Sequence, residues 1–200
     1  MKNILRKILY HYWKMTGIHI ADYGIHFSAE EKRKFIQHII KQNNSRILIE
    51  TGTYLGDTIN FLKDSLGEII SIELSDFYYK KAVERFKDQK KITILHGDSS
   101  KILPEILKKI NEPCLFWLDG HYSSGNTAKG DKNTPIFSEL SSIINHQIKN
   151  HIILIDDARL FIGRDDYPWL PNLRKYVDVT SKNLYTISVE KDIIVLTPKK

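Results

Sequence analysis

Cysteine is almost missing from this chain: Cys114 is the only one in 200 residues. That excludes a disulfide-stapled scaffold and leads us to expect a reducing, cytoplasmic compartment. Cys114 opens the apolar run Cys-Leu-Phe-Trp-Leu, where a thiol belongs to the core rather than to nucleophilic chemistry. Long apolar stretches are missing too. No run is long and apolar enough to span a bilayer, and the N-terminus lacks the uninterrupted apolar segment of a secretion signal. Nor is there an internal repeat, a low-complexity tract or an inter-domain linker, so a single domain with one sizeable core is expected.

The net charge of +6 would suit an anionic partner. Its lysines are scattered, however, as at Lys32–Lys34, Lys80–Lys81, Lys90–Lys91 and Lys108–Lys109, and they read as solvated helix faces and ends. No nucleic-acid-binding motif accompanies them, which argues against a nucleic-acid partner. Residues 1–14 form a basic amphipathic pattern with Ile4, Leu5, Ile8, Leu9 and Tyr12 on one side. Such a helix can pack on its own domain or on a second copy in a homo-oligomer. It can also make peripheral membrane contact, and both readings stand open.

The rest of the chain is organised around Arg46-Ile-Leu-Ile-Glu-Thr-Gly-Thr-Tyr-Leu-Gly-Asp-Thr58. An apolar run stops at Glu50, Gly52 and Gly56 follow, and a helix-like stretch runs on towards Gly67. Strand, glycine turn and helix N-terminus in that order bring unpaired backbone amides close to a ligand. Upstream, Ser28-Ala-Glu-Glu31 is a capping box that starts a helix running to about Gln42. The preceding segment, Thr16 to Phe27, reads as irregular. Downstream, further strands are expected at Ile69–Glu73, Ile92–Leu95, Cys114–Leu118 and His151–Ile155, separated by amphipathic helices. One of these helices is capped by Ser75 and carries Tyr79, Ala82, Val83 and Phe86 inward. Another starts at Thr134-Pro135 and buries Ile136, Phe137, Leu140, Ile143 and Ile144. Near-continuous apolar strands alternating with helices imply a parallel sheet covered on both faces. The tail, Leu184–Glu190 and Ile193–Thr197 around Glu190-Lys-Asp192, reads as an antiparallel hairpin and brings the sheet to seven strands.

All five parallel strands end at or just before an acid: Glu50, Glu73, Asp98, Asp119 and the pair Asp156-Asp157. Ligands of such sheets bind outside the carboxyl ends of the strands. Five acidic positions along one edge need their repulsion offset by a ligand, a metal or hydrogen-bond donors. A cationic or hydroxyl-rich ligand is therefore expected, and a dinucleotide's pyrophosphate would be repelled.

Glu50-Thr-Gly-Thr-Tyr-Leu-Gly56, with Glu73 after the second strand and Gly97-Asp98 after the third, resembles the class I S-adenosylmethionine-dependent methyltransferases over roughly Ile47 to Pro198. The resemblance implies a Rossmann-like α/β fold over 28–200, with the N-terminal helix and irregular segment of 1–27 outside it. It implies S-adenosylmethionine as cofactor, the methionine part on the turn from Gly52 to Asp57 and the ribose hydroxyls on Glu73. The adenine amino group would fall on Asp98 with Ser99. The expected cofactor-binding set is Glu50, Thr51, Gly52, Thr53, Tyr54, Gly56, Asp57, Thr58, Glu73, Asp98, Ser99 and Asp119. Tyr54 departs from the family, standing where glycine is frequent.

Asp119, Asp156 and Asp157 close adjacent strands and offer hard oxygen ligands of the kind Mg²⁺ takes. The alternative is that Asp157 caps the next helix. The pattern is similar to metal-dependent sugar O-methyltransferases of the macrocin O-methyltransferase type, in which a second Asp two residues past the first acts as base. His121 holds that position here. With an unperturbed pKa of about 6.5, histidine suits proton abstraction, although it could equally order the Ser123–Asn133 loop, which is long and glycine-bearing as lids often are. Lys129 and Lys132 are weaker candidates for the base. Beyond the last parallel strand, Tyr167 and Trp169 either stack on a sugar or pack a proline-fixed loop. The expected activity is O-methylation of a small hydroxylated acceptor, such as a sugar of a bacterial glycan or glycosylated metabolite. Alternatives are a methyltransferase for nucleic acid or protein, or a non-catalytic cofactor-binding module. The fourth strand ends in Leu-Asp-Gly-His rather than the Asn-Pro-Pro-Tyr pattern of amino-group methylation.

Overall fold

The computed structural model of the chain describes His11 and residues 19–20, 27–120 and 134–199. Its elements in order are β1 (His19–Ile20), α1 (Ala29–Asn43), β2 (Ile47–Thr51), α2 (Asp57–Leu62), β3 (Glu68–Glu73), α3 (Asp76–Phe86), β4 (Ile92–His96) and α4 (Ser99–Leu107). They continue with β5 (Leu115–Leu118), α5 (Ile136–Asn145), β6 (Ile152–Ile155), α6 (Leu170–Thr180), β7 (Tyr185–Glu190) and β8 (Ile193–Pro198). The strands form one sheet in the order β1-β7-β8-β6-β5-β2-β3-β4. From β4 through β6 all pairings are parallel, and β8 runs antiparallel to both β6 and β7.

The expected seven strands are all present, and β1 is an addition. Its two residues, in the segment read as irregular, pair in parallel with Ser188 and Val189 of β7. Two residues are too few to carry a readable period.

Side chains alternate along each central strand and divide the core in two. Ile47, Ile49, Phe116, Leu118, Ile153 and Ile155 face one side, packed with α4, α5 and α6. Leu48, Leu115, Trp117, Ile152 and Leu154 face the other, with Ile36, Ile39 and Ile40 of α1, Ile59 and Leu62 of α2 and Phe86 of α3. The sheet is thus covered by helices on both faces, a Rossmann-like α/β fold.

The capping box at Ser28 and Glu31 forms as expected, and Ser75 caps α3. Two buried stripes differ from expectation. In α3 the inward residues are Tyr78, Ala82 and Phe86 at i, i+4 and i+8, and Val83 is 40% exposed. In α5 Phe137 is also 40% exposed and lies edge-on against Tyr176. Cys114 is buried as expected, and burial pushes its thiol up to about 12, with smaller contributions from Glu112 and Glu68. Among the described residues no helix is long and apolar enough to cross a membrane. Apart from His11, the amphipathic pattern of residues 1–14 lies outside the described residues.

Candidate functional site

Strand order reverses between β2 and β5, and at such a switch point the loops after the two strands part to leave a crevice. The glycine turn sits there. Gly52 has φ +87°, and a Cβ built on it would come within 2.4 Å of the Asp119 carbonyl oxygen. Only glycine allows the turn to lie this close to the loop after β5. Its N–H donates to Ile72 O at 2.9 Å, holding the turn to β3 as well. Gly56, also left-handed, precedes α2 without any side-chain cap, so the first amides of that helix are left to a ligand or solvent. Tyr54, at the position where the resembled family frequently has glycine, adopts glycine's conformation with φ 49° and leans on Tyr78 at a ring distance of 4.6 Å.

The acids reach one sheet edge, because β2 to β6 are parallel, but they do not form a bare anionic rim. Glu50 is 1% exposed and accepts a hydrogen bond from Ser71 Oγ at 2.6 Å, with Thr53 Oγ1 a further 2.6 Å from that hydroxyl. Burial pushes its carboxyl up to about 8, the Ser71 hydrogen bond opposing and the Glu73 charge adding to the rise. Burial thus favours its protonated form at neutral pH, in the core beneath the turn. Glu73, 6% exposed, accepts from the Tyr54 amide at 2.7 Å and the Ser75 amide at 2.8 Å, one on each oxygen. A carboxylate has about four lone-pair sites, so both oxygens can still accept from a vicinal diol. Asp98 caps α4, accepting from the Ser100 amide at 2.9 Å and its hydroxyl at 2.7 Å, and the adjoining Ser99 is buried. Asp57 opens α2 and pairs with Arg85 at 2.7 Å. Thr51 closes β2 with its hydroxyl buried and unpartnered among the described residues, while Thr58 is half-buried on α2. Sequence reasoning missed Leu74, an exposed apolar side chain directly after Glu73, and the exposed Phe77 of α3, whose ring has the Lys81 ammonium 4.3 Å from its centroid. Leu74 directly follows the acid that ends β3, and that position was the available signal.

The aspartate pair after β6 is met by internal cations. Lys32 Nζ of α1 lies 2.5 Å from Asp156 Oδ1, 2.8 Å from Asp157 Oδ1 and 3.4 Å from Asp192 Oδ2 in the β7–β8 turn. Arg159 pairs with Asp157 at 2.5 Å and with Asp192. Burial pulls the Lys32 pKa down, but the charges and hydrogen bonds of Asp156 and Asp157 outweigh it, leaving the ammonium more firmly protonated than a free lysine. Asp157 precedes a short 3-10 turn in a left-handed conformation and makes no capping hydrogen bond, so the capping alternative does not hold. A divalent ion needs carboxylate oxygens converging on a centre it can occupy, and between Asp156 and Asp157 the Lys32 ammonium already stands there. Among the described residues no group of three His, Cys, Asp or Glu is arranged to hold a metal. The donor set therefore does not fit Mg²⁺. Asp119, the third expected ligand, has its amide on Thr51 O at 3.0 Å and its carbonyl against Gly52.

Tyr167 is buried edge-on against Phe161 and so packs the loop before α6, in which the Trp169 backbone bridges Ile162. His121, Lys129, Lys132 and the Ser123–Asn133 loop lie outside the described residues.

No protein-family model matches the sequence, and no curated protein does. Solved structures do match. The O-methyltransferase TomG from Streptomyces achromogenes, involved in tomaymycin synthesis and in complex with SAM, is 16% identical. It covers 86% of this chain and 80% of its own, with a TM-score of 0.63. An O-methyltransferase from Bacillus cereus in complex with SAH is 15% identical over 97% of this chain and 90% of its own, TM-score 0.62. The 23S rRNA methyltransferase ErmE is 15% identical over 88% of this chain and 70% of its own, TM-score 0.54. These likenesses establish the fold. That it is shared by O-methyltransferases and an rRNA enzyme means the acceptor must be argued from the site.

Proposed function

We propose that the chain is an S-adenosylmethionine-dependent O-methyltransferase acting on a hydroxyl of a small acceptor, such as a sugar of a bacterial glycan or glycosylated metabolite. The observation that carries this reading is Glu73. It is held by two backbone amides at the carboxyl end of β3, next to a glycine turn that only glycine can make. A carboxylate fixed in that way is oriented to grip a ribose diol. Leu74 and Phe77 offer apolar surface for a flat base, Asp98 and Ser99 offer polar groups at its rim, and the turn from Gly52 to Asp57 takes the amino-acid end. The bound cofactor would supply an electrophilic methyl group on a sulfonium sulfur. His121, two residues past Asp119, is our candidate for removing the acceptor's proton. Holding acceptor and donor in line supplies most of the acceleration in such a displacement. Mg²⁺ is not part of the reading, because Lys32 stands between the aspartates that would ligate it.

Thermal melting and calorimetry with S-adenosylmethionine, S-adenosylhomocysteine and NAD test it. Ligand at about a hundred times its Kd adds roughly 2.7 kcal/mol, several degrees for a domain of this size. Both sulfur cofactors should give that shift, and Glu73→Gln should weaken their binding about tenfold, roughly 1.4 kcal/mol. Stabilisation by NAD with none by S-adenosylmethionine would refute the proposal.

A further inference from the structure

Lys32 takes no part in holding the cofactor or in the proposed proton removal. It sits on α1, outside the strand–turn–helix units that build the cofactor edge, yet its side chain is only 10% exposed and reaches three carboxylates. These come from two places: Asp156 and Asp157 end β6, and Asp192 lies in the β7–β8 turn. An ammonium has three protons and no acceptor, so three carboxylate oxygens are the set it can serve in full. Asp192 adopts φ 61°, a conformation costly for a non-glycine residue, and its carboxylate also accepts from the Arg159 amide at 2.9 Å. The neighbouring Lys191, at φ 52°, lies over the Phe27 ring at 4.5 Å, just ahead of α1. Two residues of one turn thus contact α1 or the residue before its cap. Taken with Arg159, the cluster has three negative and two positive groups.

We infer that Lys32 is a built-in counter-cation: its ammonium takes the place a divalent ion would occupy at the Asp156–Asp157 pair, so this edge neither needs nor binds such an ion. By the same contacts it fastens α1 and the β7–β8 turn to the end of β6. A divalent ion among those oxygens would lie in contact with a like charge or have to displace it from three carboxylates. The inference is independent of methyl transfer, since metal binding and folding stability are read without turnover.

The test uses the purified full chain, stripped with chelator and titrated with MgCl₂ or MnCl₂ by calorimetry and thermal melting. Wild type should give no saturable heat and a midpoint steady to within about 1 °C up to millimolar metal. Lys32→Gln should melt lower, and millimolar Mg²⁺ or Mn²⁺, but not KCl of equal ionic strength, should restore at least half of the loss. Saturable metal binding by wild type that Asp157→Asn abolishes would overturn the inference. So would a Lys32→Gln protein as stable as wild type, or one that is destabilised but indifferent to metal. If Lys32→Gln does not fold, the Lys32→Gln/Asp156→Asn double variant, which removes one charge of each sign, decides. A folded, metal-indifferent double variant supports charge compensation, and one that also fails to fold overturns it.

Discussion

Replacing Glu50 with glutamine should make the protein more stable, and increasingly so as pH rises. Glu50 is buried, its nearest ionisable neighbour is another carboxylate, and its carboxyl is pushed up to about 8. In the unfolded chain the same group titrates near 4.5. The native state therefore holds the proton more tightly. The associated stability is fully present below pH 4.5 and is lost progressively as pH rises through 8. Each pH unit inside that window removes about 1.4 kcal/mol, so the whole loss is roughly 3 to 5 kcal/mol. Glutamine cannot ionise, and its carbonyl can still accept from Ser71 Oγ. Urea denaturation of both proteins at pH 5, 6, 7, 8 and 9 gives the difference free of all groups they share. It should grow in favour of Glu50→Gln up to about pH 8 and then level off. A pH-independent difference, or one that turns against glutamine at alkaline pH, would show that Glu50 is an anion in the native protein. S-adenosylmethionine affinity should change by less than about threefold, because a protonated group beneath the turn offers the sulfonium no charge.

A second titration runs the opposite way. His151 is buried, accepts the Cys114 amide on Nδ1 at 3.0 Å and contacts His146 through Nε2 at 2.8 Å. Burial, with His146 and Lys149, pushes it down to about 4. Its stability is present above pH 6.5 and lost as pH falls through 4, about 2 kcal/mol after allowance for solvent screening. His151→Gln should flatten the acid limb of the urea midpoint between pH 4 and 6.5, and an unchanged limb would exclude the assignment. Gly52→Ala places a methyl 2.4 Å from the Asp119 carbonyl oxygen at φ +87°. It should cost about 2 to 4 kcal/mol in denaturation and abolish S-adenosylmethionine binding. Gly67→Ala, whose Cβ meets nothing nearer than 3.6 Å, is the matched control and should leave binding intact.

The parallel sheet was legible in the sequence because its central strands β2, β5 and β6 are buried on both faces, so they read as apolar runs ending in polar turns. What escaped was what prolines and short length conceal. Helix α6 buries Leu170, Leu173 and Val177, but it begins inside Tyr-Pro-Trp-Leu-Pro, a stretch that reads as loop. Pro171 stands in the helix's first turn, where proline is tolerated because that amide would have no partner. In α3 the sequence pattern points inward at Tyr79 and Val83, whereas Tyr78 is the buried tyrosine. A one-residue error on a helix turns the face by about 100° and is enough to trade Tyr78 for a half-exposed valine.

The site divides by the range of its interactions. Groups whose partners are near in sequence could be placed from it: the Ser28–Glu31 box and the Asp98 position at a helix start. Groups whose charge is settled from far away could not. Asp156 meets Lys32 across 124 residues, and nothing in Asp-Asp-Ala-Arg announces that a lysine from the first long helix will arrive there. Read alone, the five acidic strand ends call for a cationic or hydroxyl-rich ligand, a metal or hydrogen-bond donors. Folded, four of those five ends are met from within: burial pushes the Glu50 carboxyl up, backbone amides hold Glu73, Asp98 caps a helix, and the pair after β6 meets an internal lysine. The same acidic strand ends can therefore belong to a site that takes a metal or to one that excludes it. A single lysine on a distant helix separates the two.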